Sequence, residues 1–153
     1  MKHPTLGPLV VSKDGDEYEA NVPYAGQTLQ VTVMLDDATV DEALALAAKV
    51  VATLEGLDKE AQSIASRDLR EVYNEGWNEY DEVLSDGTTR TVSHPPLSDG
   101  EFRARLKLAS LTITGSDCVE LWYEDGGLFW GHSVFVSSME GIDFSSARAE
   151  IFG

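Results

Sequence analysis

Five side chains with potential chemistry fall inside one short stretch. Glu120, Trp122, Asp125, Trp130 and His132 lie between positions 118 and 137, where the chain reads CVELWYEDGGLFWGHSVFVS. An imidazole titrates near neutral pH, so His132 is a candidate general base or ligand, with carboxylates and indoles close in sequence. The same pattern also suits a histidine at the edge of a core, one ring nitrogen bonded to a carbonyl or carboxylate. His132 and Ser133 are sequence neighbours and point to opposite faces of a strand, so they form no Ser–His pair there. Cys118 has no base beside it and reads as a core-edge thiol.

A second cluster is purely acidic. Asp68, Glu71, Glu75, Glu79 and Glu82 recur at spacings of three and four, which on a helix places them on one face. Like charges so placed repel. The candidate roles are a docking face for a basic partner, a cation site, or plain solvation. A cation site would want histidine or carboxylates converging from a second element, and no Glu-x-x-His occurs, so no metal is assigned. The chain holds no Walker loop, no GxGxxG behind a strand, no GxSxG elbow, no HExxH and no CxxC. No catalytic residue or cofactor is therefore assigned.

The elements that must position these residues follow from the apolar spacing. Residues 118–137 read as a β-hairpin around Glu124-Asp125-Gly126-Gly127, because Asp-Gly and Gly-Gly tolerate the positive φ angles of a tight turn. A two- or four-residue loop puts Leu121, Tyr123, Leu128, Trp130, His132, Val134 and Val136 on the core face. It puts Glu120, Trp122, Phe129, Gly131, Ser133 and Phe135 on the other. Upstream, 6–13, 16–22 and 27–35 form an antiparallel meander, with turns at Asp14-Gly15 and at Pro23 to Gly26. Thr39 and Glu42 make a capping box for a helix over 39–54, ended by Glu55-Gly56. A longer helix is expected from Leu57 or Asp58 to Leu84, with Ala61, Ala65, Leu69, Val72, Gly76, Tyr80 and Val83 as its apolar row. Residues 85–96 read as loop, and Ser98 with Glu101 caps a short helix to about Leu106. Residues 108–114 are a strand, and 147–152 a further edge strand. The expected fold is a single α+β domain over 1–153. Its antiparallel sheet has about six strands, with an N-terminal meander, a C-terminal hairpin, two longer helices and one short one.

The stretch Leu128-Phe129-Trp130-Gly131-His132-Ser133, behind Asp125-Gly126-Gly127, resembles the C-terminal signature of the domain of unknown function 2262, a family of uncharacterised bacterial proteins. The resemblance takes in Glu17-Tyr18-Glu19, the helical run from Thr39, FRARLKLASL over 102–111 and the closing Gly153, with 85–96 as an insertion. The family carries no assigned reaction, so the resemblance implies no site residue.

Charge narrows the partner class. Eleven Lys and Arg against 27 Asp and Glu give −16, which repels nucleic-acid phosphates and anionic membranes. No apolar run is long enough to span a bilayer, and the first residues open no apolar leader. One cysteine leaves no internal disulfide, which suits the cytoplasm. The expectation is a small acidic cytoplasmic protein. Its role is non-enzymatic protein binding, docking a basic partner through the 68–82 acids; a protein that neutralises a toxin is one version. The second reading is a small-ligand binder or enzyme with its site at Trp130 and His132.

Overall fold

The computed structural model describes residues 1–153. Strands β1 (Lys2–His3) and β2 (Gly7–Pro8) form a small ladder of their own. The expected meander follows as β3 (Val10–Val11), β4 (Glu17–Tyr24) and β5 (Gln27–Met34). Its first strand is shorter than 6–13, because Gly7 turns at φ +76° and Pro8 has no N–H to give a ladder. Ala25 and Gly26, both at positive φ, make the two-residue turn that pairs Tyr24 with Gln27. Alternation then buries Tyr18, Ala20 and Val22 on one strand and Leu29, Val31 and Val33 on the next.

Helix α1 (Val40–Ala52) starts at Thr39, with both bonds of the capping box formed. It stops at Thr53 rather than at Gly56: the Thr53 hydroxyl and N–H both bond back to the Lys49 carbonyl. Helix α2 (Leu54–Val72) begins at once, because its buried row already starts at Leu54 and runs through Leu57, Ala61, Ile64, Ala65 and Leu69. It does not reach Leu84. The helix loosens into a π-turn over Tyr73–Trp77, around Gly76, and the chain then extends. Strands β6 (Glu79–Val83) and β7 (Thr89–Ser93) make a separate hairpin. Two expectations are thereby corrected, the helix to Leu84 and the loop over 85–96. The physical reason is local. Past Tyr73 no residue up to Leu84 is buried, so nothing holds a helix there. Thr89, Thr91 and Val92 favour a strand, and Asp86 fixes the turn by accepting from the Thr88 N–H and hydroxyl.

Helix α3 (Asp99–Arg105) carries the second capping box, Ser98 with Glu101. Strands β8 (Lys107–Thr114), β9 (Cys118–Glu124), β10 (Ser133–Ser138) and β11 (Arg148–Phe152) complete the main sheet. Its order is β11-β10-β9-β8-β5-β4-β3. The sheet has seven strands and is mixed, not antiparallel throughout, because β5 and β8 run parallel. Parallel neighbours need a long crossover, and the helical segment between them supplies it. The helices cover one face, where Leu111, Ile113, Leu121, Tyr123, Val134 and Val136 join the core. The opposite face carries Gln30, Thr32, Ser110, Thr112, Glu120, Trp122, Phe135 and Ser137, none of them fully buried. No helix is long and apolar enough to cross a membrane.

Candidate functional site

The hairpin is real, but its turn is not a tight one. Pairing stops at Tyr123 with Val134, and residues 125–132 form a wide loop. One carboxylate explains the loop. Asp125, 7% exposed, accepts from the backbone N–H groups of Gly127 (3.0 Å), Phe129 (2.8 Å) and Gly131 (3.0 Å). The chain wraps a buried anion instead of reversing at the glycines. Gly126 is needed for a second reason. It sits at φ +59°, and a Cβ there would lie 2.2 Å from the Arg105 carbonyl oxygen. Arg105 in turn donates through Nε and Nη2 to the Gly126 carbonyl, at 3.1 and 3.0 Å.

Wrapping breaks the parity expected for this stretch. Leu121, Tyr123, Val134 and Val136 do share the core face, and Leu128 is buried. Phe129, expected outside, is also fully buried. Trp130, expected inside, is 56% exposed and held at φ +58°, a region a bulky residue rarely occupies. His132 donates from Nδ1 to the Phe129 carbonyl at 2.6 Å and sets its ring edgewise to Trp77, 5.5 Å between centroids.

The five candidate residues therefore separate. Asp125, Trp130 and His132 belong to the loop, with Asp125 as its clamp. Glu120 and Trp122 lie on the helix-free face of the sheet. There Trp122 stacks on Phe135 at 4.5 Å and meets Phe152 edgewise. Partial burial pushes the Glu120 carboxyl above its ordinary range. The acidic row also separates. Asp68 and Glu71 are on α2, Glu75 is in the π-turn, and Glu79 and Glu82 are on β6. Asp68 is occupied structurally: it accepts from Arg67, and then from the Ala149 N–H, which together hold its carboxyl below the usual range.

Beside Trp130 opens a groove of about 360 Å³, walled by Tyr73, Trp77, Tyr80, Leu97 and Trp130, with His94, Pro95 and Arg105 at its margins. The Trp77 and Trp130 rings are 4.5 Å apart, and the Trp130 indole N–H donates to the Trp77 carbonyl at 3.3 Å. Tyr80 meets Trp130 at 6.4 Å and His94 at 6.0 Å. His132 is behind Trp77 and outside the groove wall. Trp77 and Tyr80 are not legible as groove residues because the helix drawn through Val72 sends them elsewhere, and His94 reads only as an exposed loop residue. The mix of Asn74, Gly76 and Asn78 around Trp77, all weak helix formers, was the available signal.

A polar knot supports the far side of the same hairpin. Asp58 of α2 accepts from the Tyr123 hydroxyl (2.6 Å), the Tyr24 hydroxyl (2.7 Å) and the Gln62 amide (3.2 Å). Burial, and then the Asp58 charge, push the Tyr123 phenol well above its ordinary value of 10.0. The folded state thus keeps a proton that the unfolded chain releases above that value. Stability is expected to be unaffected below about pH 10 and to fall above it, by up to about 1.4 kcal/mol per pH unit from this residue. Urea titrations of the wild type and Tyr123→Phe check it, since the variant should lose that part of the alkaline slope.

No group of three or more metal-ligating side chains forms anywhere in the chain. No curated protein and no solved structure matches it. One family does: the one described as "Uncharacterized protein conserved in bacteria (DUF2262)" matches residues 3–148. That span includes the clamp, the groove and all three helices, and the chain belongs to the DUF2262 family.

Proposed function

We propose that this protein is a cytoplasmic, non-enzymatic binding module that grips a basic segment of a partner protein in the aromatic groove. The observation that carries the reading is Trp130. Half-exposed and at a costly φ, it is held over Trp77 by a loop built on three bonds to Asp125. Backbone strain of this kind persists where the surroundings over-determine it, and it concentrates at binding sites. Tryptophan, tyrosine and arginine are also the residue types that dominate protein contacts.

The charged side chain in the groove wall is Arg105, so attraction for a cation comes from the hairpin beside it. The segment that supplies Trp77 and Tyr80 also exposes Glu75, Glu79, Asp81 and Glu82, and only Glu82 has a salt-bridge partner, Arg90. A lysine or arginine entering beside Tyr80 and Trp130 would meet indole and phenol faces, each such contact contributing about 0.5–2 kcal/mol. Arg105, turned onto Gly126, keeps its other terminal nitrogen for a partner carbonyl.

Titration of Lys- and Arg-containing peptides, followed by tryptophan fluorescence, tests the reading. Affinity is expected to weaken as salt rises, and to fall about tenfold when Glu75, Glu79 and Asp81 are reversed to lysine. Binding indifferent to both would count against any part played by these acids. The small-ligand reading is favoured by the groove's volume. It predicts that neutral ring compounds bind there as tightly as the peptides and compete with them.

A further inference from the structure

The aromatic groove selects among peptides by what its wall lacks. No carboxylate lines it. The carbonyls of Tyr73, Trp77, His94 and Leu97 are already in use. They accept, in turn, from the Asn78 N–H, the Trp130 indole, the Asn78 amide and the Asn74 amide. Next to Gly127 of the wall, the Gly126 carbonyl takes the Arg105 fork. A segment of ordinary residues carries one N–H per residue. Each N–H pressed against these rings would lose water and find little to accept it.

Donors, by contrast, are in surplus. Arg105 uses Nε and Nη2 on Gly126 and keeps its other terminal nitrogen. The Tyr80 and Tyr73 hydroxyls make no hydrogen bond within the chain. Tyr80 is exposed, and the Tyr73 hydroxyl is open to the surface although its residue is only 4% exposed.

A wall of rings and donors fits a backbone that offers carbonyls and withholds N–H groups. Proline is that residue, since it has no N–H and its ring fixes φ at about −65°. Runs of proline adopt polyproline II, which forms no internal hydrogen bond, leaves its carbonyls free and loses little conformational freedom on docking. The ring surface suits it as well. Tyr80, Trp130 and Trp77 make a continuous strip, with 6.4 and 4.5 Å between successive centroids. The chain already sets a proline of its own, Pro95, at the margin.

We infer that the segment gripped by the groove is proline-rich, docks as a polyproline II helix and carries basic residues at its flank. Its rings lie on Tyr80, Trp130 and Trp77, and its carbonyls accept from Arg105 and the two phenols. Its flanking lysine or arginine reaches the hairpin, where Glu79 and Asp81 have no salt-bridge partner. The inference presupposes that the groove takes a basic segment of a partner, and adds what the rest of that segment must be.

Calorimetric titration with synthetic peptides of equal length tests it. The first peptide is proline-rich with arginine at each end. The second has alanine at every proline, and the third has glutamine for each arginine. The first is expected to bind at least about tenfold more tightly than the second, and several-fold more tightly than the third. Tyr80 is on a hairpin with no buried residue, so Tyr80→Ala should leave the melting temperature nearly unchanged. It is expected to weaken the first peptide at least about tenfold. Equal binding of the first and second peptides overturns the proline inference and leaves the basic-segment reading standing. Equal binding of the first and third upholds the prolines and removes the basic flank. Wild-type affinity in Tyr80→Ala overturns the inference, and binding of none of the peptides overturns both it and the reading beneath it.

Discussion

Asp125→Ala is expected to lower the unfolding free energy by about 3–5 kcal/mol. The carboxylate is buried and accepts three backbone N–H groups, two of them at or next to the fully buried Leu128 and Phe129. Hydrogen bonds to a charged group contribute roughly 1.5–3 kcal/mol each, and donors stranded by the loss add a desolvation penalty. The sum stays below three full bonds because Gly127 and Gly131 are exposed enough for water to take their N–H groups. Chemical denaturation measures it directly. Asp125→Asn should fall between, since its amide oxygen still accepts while its charge is gone. A loss under about 1 kcal/mol for the alanine variant would mean the loop is held by Phe129 packing alone.

The second large effect separates binding from stability. Trp130→Gly removes the groove's outer wall and also relieves the positive φ of a bulky residue. Relief is worth about 1–2 kcal/mol, against about 0.5–1.5 kcal/mol of lost stacking, the ring's buried area and the indole hydrogen bond to the Trp77 carbonyl. The net is a loss of about 1–3 kcal/mol, which leaves the protein folded. Affinity for a basic peptide should nevertheless fall by about 2 kcal/mol or more, roughly thirtyfold, as for a central aromatic contact. Fluorescence or calorimetric titration of both proteins decides it. A variant that binds as the wild type does would remove Trp130 from the site.

Sequence patterning located most of the fold because most of its elements are locally determined. Thr39 and Ser98 cap their helices as their spacing dictates, and the alternation of Leu29, Val31 and Val33 survives intact in β5. The parallel pairing of β5 with β8 depends on where a long crossover returns, which no short window encodes. The end of α2 is illegible for a related reason. Val72, Gly76, Tyr80 and Val83 keep a helical period, but all four are exposed, so the period has nothing to bury against. At the hairpin, Asp125 and the glycines read as a tight turn, whereas they open a wide loop around a buried carboxylate. No local pattern shows that a side chain replaces the ladder as acceptor for three N–H groups. That substitution moved Phe129 inward and Trp130 outward, and with them the position of the groove.

The lone parallel seam has a further consequence, for synthesis on the ribosome. The N-terminal meander is complete once Met34 has emerged, yet the neighbour of β5 begins only at Lys107. Throughout that interval a strand destined for the middle of the sheet has one side unpaired, an invitation to pair with another nascent chain. Helix α1 is made next and packs on β5, so it covers that strand's apolar face early. Weakening its capping box at Thr39 should therefore reduce the yield of soluble protein more than it reduces the stability of the finished molecule.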